Sequence, residues 1–142
     1  EKLYQKVLRE YDAAYNANVS YKTTIFEGLK ETLDAVKALG IRIAIVSNKP
    51  HGAVQELAAK FFPGIPAFGE RSGIARKPAP DMVFAALEEL GVGKEGAVYI
   101  GDSEVDVATV KKSNLSTKLI RLKDRSFYDV VNMKFKNTDG VR

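Results

Sequence analysis

The sequence predicts an α/β fold in which helices alternate with the strands of a parallel sheet. Two apolar runs, 41–46 and 97–100, have the length and the β-branched or aromatic content of buried strands. Amphipathic segments with a helical spacing of apolar residues lie before, between and after these runs. Strands that alternate with helices pair in parallel through right-handed crossovers. A chain of 142 residues, 45% of them apolar, is long enough for one domain with a substantial core.

Composition and charge exclude several classes of protein. The net charge is +4, but the basic residues are scattered and form no stripe interleaved with aromatic residues, so we expect no nucleic-acid partner. The absence of cysteine and the single histidine exclude disulfides, thiolate metal sites and multi-histidine zinc sites. No apolar run approaches the roughly 18 residues that cross a bilayer, and no signal peptide is visible, so we expect a cytoplasmic protein without membrane contact. Because the chain begins at Glu1 and not at a methionine, a signal in an upstream segment stays open.

The first half of the chain predicts two helices and the first strand. Apolar residues at helical spacing predict an amphipathic helix from Glu1 to about Asn18, which needs a partner surface. They also predict a second helix over 25–39 that ends at a glycine. The strand 41–46 is predicted to stop at the polar residues that follow it, and Pro50 suits the first turn of the next helix.

The second half predicts a long loop and two further helices around the second strand. The segment 62–80 is rich in glycine and proline, which indicates a loop. Helices are predicted over 82–90 and 105–112, on either side of the strand 97–100. The run 118–122 is a candidate for a last strand.

Two carboxylates follow the second predicted strand. Asp102 comes directly after Gly101, and Asp106 lies four residues later, so a helix that begins after Ser103 can bring the second carboxylate beneath the first. Oxygen donors at the carboxyl end of a strand suit a hard divalent cation, most naturally Mg²⁺ shared with a phosphate. The alternative is a strand, a tight turn and an aspartate that caps the next helix.

Two other polar residues are candidates for binding phosphate. Ser47 follows the first strand, where its hydroxyl and the free amides of a helix start can hold a phosphate oxygen; alternatively it only caps the helix at Pro50. Lys77 lies in a loop that two prolines rigidify, and its ammonium can neutralise a carboxylate and a phosphate together; alternatively it is a solvated loop lysine. Because parallel strands end at one edge of a sheet, Ser47 and Asp102 are expected to meet at a crevice that the loop with Lys77 can reach.

In combination, these motifs resemble the haloacid dehalogenase superfamily, and most closely its phosphoglycolate phosphatase-like branch. The matching segments are 45–51 (IVSNKPH), 73–80 (GIARKPAP) and 98–106 (VYIGDSEVD), and the resemblance covers about residues 1–114. It implies a three-layer Rossmann-like core over residues 21–142. Residues 1–20 would be the C-terminal helix of a helical cap, the part of such proteins that usually selects the substrate.

The resemblance also implies a role for each matching residue. Ser47 would bind the transferring phosphoryl group, and Lys77 would stabilise both that group and the nucleophile. Asn48 and Lys49 would line the mouth of the site and bind the substrate phosphate together with Ser47.

The remaining two matching residues would form the metal site. Asp102 would ligate Mg²⁺, with Asp106 in or next to the shell of the metal. The implied activity is magnesium-dependent hydrolysis of a small phosphorylated metabolite, similar to phosphoglycolate, through an aspartyl-phosphate.

The chain departs from the resembled family at the nucleophile. Members carry a strand ending in Asp-x-Asp-Gly between the strands that here end at Ser47 and Asp102, and no Asp-x-Asp occurs in this sequence. Without that strand its two neighbours would face an empty slot with unpaired backbone groups. We therefore expect the nucleophile to lie outside these 142 residues. The segment 130–140, which has asparagine where the nucleophile would be, is a weaker candidate for the missing strand, because its alternating polar residues suit a half-exposed strand and not a central one. The alternative function is a non-catalytic phosphate-binding or interaction module.

Overall fold

Residues 2–115 are described in a computed structural model of the chain. Their helices and strands are α1 Lys2–Ala17, α2 Leu29–Ala38, β1 Ile45–Pro50, α3 His51–Phe61, β2 Ala67–Glu70, α4 Asp81–Leu90 and α5 Glu104–Ser113. A short 3₁₀ turn, Lys94–Gly96, precedes the segment that leads to α5. The predicted strand 118–122 and the segment 130–140 lie outside the described residues.

The two strands pair in parallel, as the alternation of helices and strands predicted. Ile45 lies opposite Ala67, and the register shifts before the end of β1. The strands approach so closely that a Cβ atom on Gly69 of β2 would lie 2.6 Å from the carbonyl oxygen of Lys49. Only glycine fits this position without a shift of the backbone.

Helices cover the sheet through two separate core clusters. Val54 and Ala58 of α3 pack with Ala67 in one cluster, and Val83 of α4 packs with Tyr99 in the other. Ile45 of β1 borders the first cluster, and its neighbour Val46 borders the second, as alternating strand residues do when a sheet is covered on both faces. This is the arrangement of an α/β Rossmann-like core, and it confirms the predicted fold class.

Two strand predictions need correction in this part of the chain. The first strand runs over Ile45–Pro50 and not over 41–46, because β2, its hydrogen-bonded neighbour, begins only at Ala67 opposite Ile45. The segment predicted as a long loop contains β2, a four-residue strand too short to give a periodic signal.

The apolar segment 97–100 does not form a strand within the described residues. Among residues 2–115, β1 pairs with β2 alone, so no described strand offers backbone groups to this segment. Its side chains alternate all the same: Val98 is 57% exposed and Ile100 38% exposed, whereas Tyr99 between them is buried. The prediction was wrong because strand formation depends on a partner as well as on local composition.

The amino-terminal helices follow the predictions with one change at the start of α2. The amphipathic helix predicted from Glu1 to about Asn18 is confirmed as α1, none of whose residues is buried. Helix α2 begins at Leu29 and not at Ile25, because Gly28 adopts a left-handed conformation with φ of 76° and interrupts the helix. None of the helices described over residues 2–115 is both long enough and apolar enough to cross a bilayer.

Candidate functional site

The centre of the candidate site is a buried ion pair between Lys77 and Asp106. The Nζ atom of Lys77 lies 2.7 Å from Oδ1 of Asp106, and the two side chains are 13% and 7% exposed. The loop before α4 and the first turn of α5 thus meet through residues 29 positions apart in the chain. The alternative of a solvated loop lysine is wrong, because the ammonium is enclosed and paired.

Every acceptor position of the Asp106 carboxylate is used. Oδ1 accepts hydrogen bonds from Lys77 Nζ and, at 2.7 Å, from the hydroxyl of Tyr99; Oδ2 accepts from the backbone N–H of Ser103 at 3.1 Å and from its hydroxyl at 2.5 Å. Burial by itself raises the pKa of Asp106, but the hydrogen bonds from Lys77, Ser103 and Tyr99 outweigh burial and hold this pKa well below its usual range. Asp106 is therefore a carboxylate at neutral pH.

The first turn of α5 explains why the carboxylate faces this way. Ser103 is the N-cap, and its hydroxyl oxygen accepts from the backbone N–H of Asp106 while the Asp106 side chain accepts from Ser103. This reciprocal cap fixes the turn and satisfies two free donors of the helix start. The N-cap is thus Ser103 and not Asp102, and the aspartate that takes part in capping this helix is Asp106.

The main chain of Lys77 is held as firmly as its ammonium. Its N–H donates to Oδ1 of Asn48 at 2.7 Å, and its carbonyl accepts from Nδ2 of Asn48 at 2.9 Å. Asn48 belongs to β1, so this amide ties the loop to the carboxyl end of the strand. Contacts therefore join the three sequence motifs directly, from Asn48 to Lys77 and from Lys77 to Asp106.

Ser47 and Lys49 lie on either side of Asn48. Ser47 is half-buried within β1, and its hydroxyl accepts from the backbone N–H of Lys49 at 3.3 Å. It makes no capping hydrogen bond to α3, which excludes the capping alternative. Lys49 is exposed; its ammonium donates to the hydroxyl of Tyr15 in α1 at 3.2 Å and lies 5.6 Å from the centre of that ring.

The carboxylate oxygens of Asp102, unlike those of Asp106, stay accessible. Asp102 is exposed, and among residues 2–115 it has neither an ion pair nor a side-chain hydrogen bond. The described residues contain no group of three or more histidine, cysteine, aspartate or glutamate side chains that could hold a metal ion. Mg²⁺ commonly uses only one or two protein carboxylates together with water and phosphate oxygens, so the chemistry of Asp102 fits it.

Three residues to which the sequence alone assigned no role complete the site: Tyr99, Gly101 and Ser103. Tyr99 donates to Asp106, and burial, together with this hydrogen bond and the charge of Asp106, raises the pKa of Tyr99 well above its usual value. At Gly101 a Cβ atom would lie 2.5 Å from Cγ of Asp106. The cap formed by Ser103 and Asp106 is visible in the sequence as a serine three residues before an acidic residue, whereas nothing local marks Tyr99.

Known proteins resemble the chain over this whole region. A family model for a haloacid dehalogenase-like hydrolase matches residues 1–114. The phosphoglycolate phosphatase of Rhodospirillum rubrum is 32% identical over 114 residues, which cover 78% of this chain and 47% of that protein. A phosphoglycolate phosphatase of Cereibacter sphaeroides is 33% identical over 108 residues, 72% of this chain and 48% of that protein.

Solved structures show the same fold. The crystal structure of a candidate phosphoglycolate phosphatase from Lactobacillus delbrueckii subsp. bulgaricus superimposes with a TM-score of 0.77 at 35% identity, over 100% of this chain and 58% of that one. A Geobacter sulfurreducens hydrolase of the same superfamily superimposes with a TM-score of 0.74 at 20% identity, a likeness of fold alone. The chain spans about half the length of the curated relatives it matches.

Proposed function

The chain belongs to the haloacid dehalogenase-like hydrolase family, and from this premise we propose that it forms part of a magnesium-dependent phosphatase for a small phosphorylated metabolite. The names of the curated relatives support a substrate similar to phosphoglycolate. The proposed reaction passes through an aspartyl-phosphate, which divides one difficult displacement into two easier ones. Because the sequence contains no Asp-x-Asp, we place the attacking aspartate outside these 142 residues.

The observation that carries the proposal is the fixed position of the Lys77 ammonium. Asn48 holds the main chain of Lys77 and Asp106 holds its ammonium, within a site that leaves the side chain 13% exposed. A positive charge fixed in advance stabilises the charge that develops on phosphoryl oxygens without reorganising during the reaction. A lysine that served only solubility would gain nothing from such enclosure.

Ser47 and Lys49 of β1 would bind and attract the phosphate of the substrate. The Ser47 hydroxyl and the backbone N–H groups at the start of α3 are donors for phosphate oxygens. Lys49, exposed beside them, would attract the anionic substrate to the mouth of the site. Asn48 acts through Lys77, because both polar atoms of its amide contact the main chain of that residue.

Asp102 is the residue that would hold Mg²⁺. Bound there, the ion would neutralise part of the negative charge of the phosphoryl group. We place Asp106 next to the metal shell and not in it, because a direct bond would displace one of the four donors that its oxygens already accept. Asp106 instead keeps the Lys77 ammonium in place through the hydrogen bond between them.

We also propose that residues 1–20 belong to a helical cap and residues 21–142 to the core. Helix α1 exposes Leu3, Val7 and Tyr11 on its apolar face, so it lacks the surface that such a face normally covers. Its contact with the core includes the hydrogen bond between Tyr15 and Lys49. That contact supports a position of the end of α1 beside the proposed substrate entrance.

The second candidate function is a non-catalytic phosphate-binding or interaction module of the same fold. The absence of Asp-x-Asp favours it, because Lys77 and Ser47 can bind a phosphate without a nucleophile. Comparing the 142-residue chain with a version that carries an upstream strand ending in Asp-x-Asp-Gly separates the two. The chain alone should release no phosphate from para-nitrophenyl phosphate or phosphoglycolate above the control without enzyme, and the extended protein should release it when Mg²⁺ is present.

Lys77→Ala in the extended protein should then reduce turnover about 100-fold, because the fixed charge is lost. Lys30→Ala, at an exposed position of α2, is the matched control and should leave turnover unchanged. An extended protein that binds phosphate but never hydrolyses an ester supports the module. Turnover by the chain alone, with a phosphorylated aspartate within it by mass spectrometry, would show that we have misplaced the nucleophile.

A further inference from the structure

No described strand holds the segment that carries Asp102 through backbone hydrogen bonds. Within residues 2–115, residues 98–102 make no backbone–backbone hydrogen bond, and β1 offers them none. Among the described residues, this segment is therefore held by its side chains. Val98 and Ile100 are 57% and 38% exposed, whereas Tyr99 is buried and is the side chain of this stretch that enters the protein.

Tyr99 attaches the segment through its ring and its hydroxyl separately. The ring packs in the cluster with Val83 and Leu115, and the residue is 8% exposed. Phenylalanine could provide this packing equally well. The hydroxyl continues past the cluster and reaches the buried ion pair, donating to Oδ1 of Asp106 at 2.7 Å and accepting from Nζ of Lys77 at 3.2 Å.

The hydroxyl also determines how the Lys77 ammonium is presented. An ammonium has three N–H donors, and here one points to Asp106 and a second to Tyr99. One donor remains for an incoming oxygen, and its direction is fixed by the other two. Without the hydroxyl, the ammonium could rotate about a single hydrogen bond and aim either of two free donors at the substrate.

We infer that Tyr99 is a positioning residue that couples the Asp102 segment to the Lys77 ammonium, so that the two halves of the site are held at a fixed separation. The inference rests on the proposed phosphatase function, which it deepens. Tyr99 does not contact the reacting atoms; it acts through Lys77. A tyrosine is protonated at neutral pH even at its usual pKa, and burial raises the pKa of Tyr99 further, so its hydroxyl can donate to Asp106.

The test is Tyr99→Phe in the protein that carries the upstream segment, with Tyr21→Phe as control. Tyr21 is 69% exposed, and its hydroxyl has no hydrogen-bond partner among the described residues. The control therefore removes the same hydroxyl oxygen at a position where it holds no other residue in place. We expect Tyr99→Phe to lower kcat about 10-fold or more, the effect of one hydrogen bond to a charged group, while KM changes little. In the background of Lys77→Ala the same substitution should have no further effect on kcat, because Tyr99 acts through Lys77.

A second readout does not depend on activity. The ¹H–¹⁵N signal of the Lys77 ammonium should be visible in the native protein, where two acceptors hold its protons, and should broaden in Tyr99→Phe but not in Tyr21→Phe. Both readouts are taken at a temperature at which circular dichroism shows the variant folded. An unchanged ammonium signal together with native kcat would overturn the role of Tyr99 and leave the phosphatase proposal intact. A protein without activity would refute the phosphatase, and the ammonium signal would still decide whether Tyr99 orders Lys77.

Discussion

Asp106→Asn should destabilise the protein strongly, because it breaks the buried ion pair at one end only. The substitution keeps the shape of the side chain but replaces one carboxylate oxygen with an amide NH₂ group, which is a donor. The replaced oxygen is either the one that accepts from Lys77 Nζ at 2.7 Å or the one that accepts from Ser103. The Lys77 ammonium, 13% exposed, is left without its counter-charge. Removing one partner of a buried pair costs about 3–5 kcal/mol. A typical domain has only about 5–15 kcal/mol of stability, so this is a large fraction.

The measurement is urea unfolding of the 142-residue chain and of the variant, followed by circular dichroism. Asp34→Asn is the matched control, since Asp34 is exposed on α2 and has no ion pair among the described residues. We expect the free energy of unfolding to fall by about 3 kcal/mol or more for Asp106→Asn and by less than about 0.5 kcal/mol for the control. Equal effects of the two substitutions would refute the view that the Asp106 carboxylate holds this site together.

Three further predictions concern pH, the metal and the close approach at Gly101. The pKa of Asp106 is lower in the folded than in the unfolded state. Its ionised carboxylate therefore stabilises the folded protein fully above the usual aspartate pKa, near about pH 4, and this stabilisation is lost as the pH falls through the folded pKa. In Asp106→Asn, the free energy of unfolding should therefore fall less steeply at acidic pH than in the native protein. Asp102→Asn should weaken Mg²⁺ binding in the extended protein by about 1–3 kcal/mol in calorimetry, with Asp34→Asn unchanged; equal affinity would contradict the assignment of the metal ligand. Gly101→Ala should lower the free energy of unfolding by about 1–3 kcal/mol, because its Cβ atom would lie 2.5 Å from Cγ of Asp106. At Gly96 a Cβ atom would meet nothing within 4 Å, so Gly96→Ala should lower the free energy of unfolding by less in the same urea titration.

The motifs of the site were predictable because each one is local in the sequence. A polar residue after an apolar run, a lysine between prolines and two aspartates four residues apart can all be found without knowing the fold. What joins them was not predictable in the same way. Asn48 holding the main chain of Lys77, and Lys77 pairing with Asp106, each link residues 29 positions apart.

The role of Tyr99 is not encoded in its local sequence. In the sequence it is one of several apolar residues in a predicted strand, and its neighbours Val98 and Ile100 fit that strand equally well. Only the position of the ion pair relative to this segment distinguishes the residue that faces inward from the two that do not. The distinction depends on packing against α4 and α5, which no local pattern encodes.

The sequence by itself determined which segments are apolar enough to be buried, where helices start and stop to within a few residues, and which side chains are candidates for binding a phosphate or a metal. Tertiary structure decided which apolar segments become strands. The run 97–100 has the composition of a strand but no neighbour to pair with among residues 2–115, whereas Ala67–Glu70, which has no periodic pattern, becomes β2 because β1 lies alongside it. The physical reason is that a helix satisfies its backbone hydrogen bonds within its own segment, whereas a strand needs the backbone of a second segment, and the identity of that segment is a property of the whole fold.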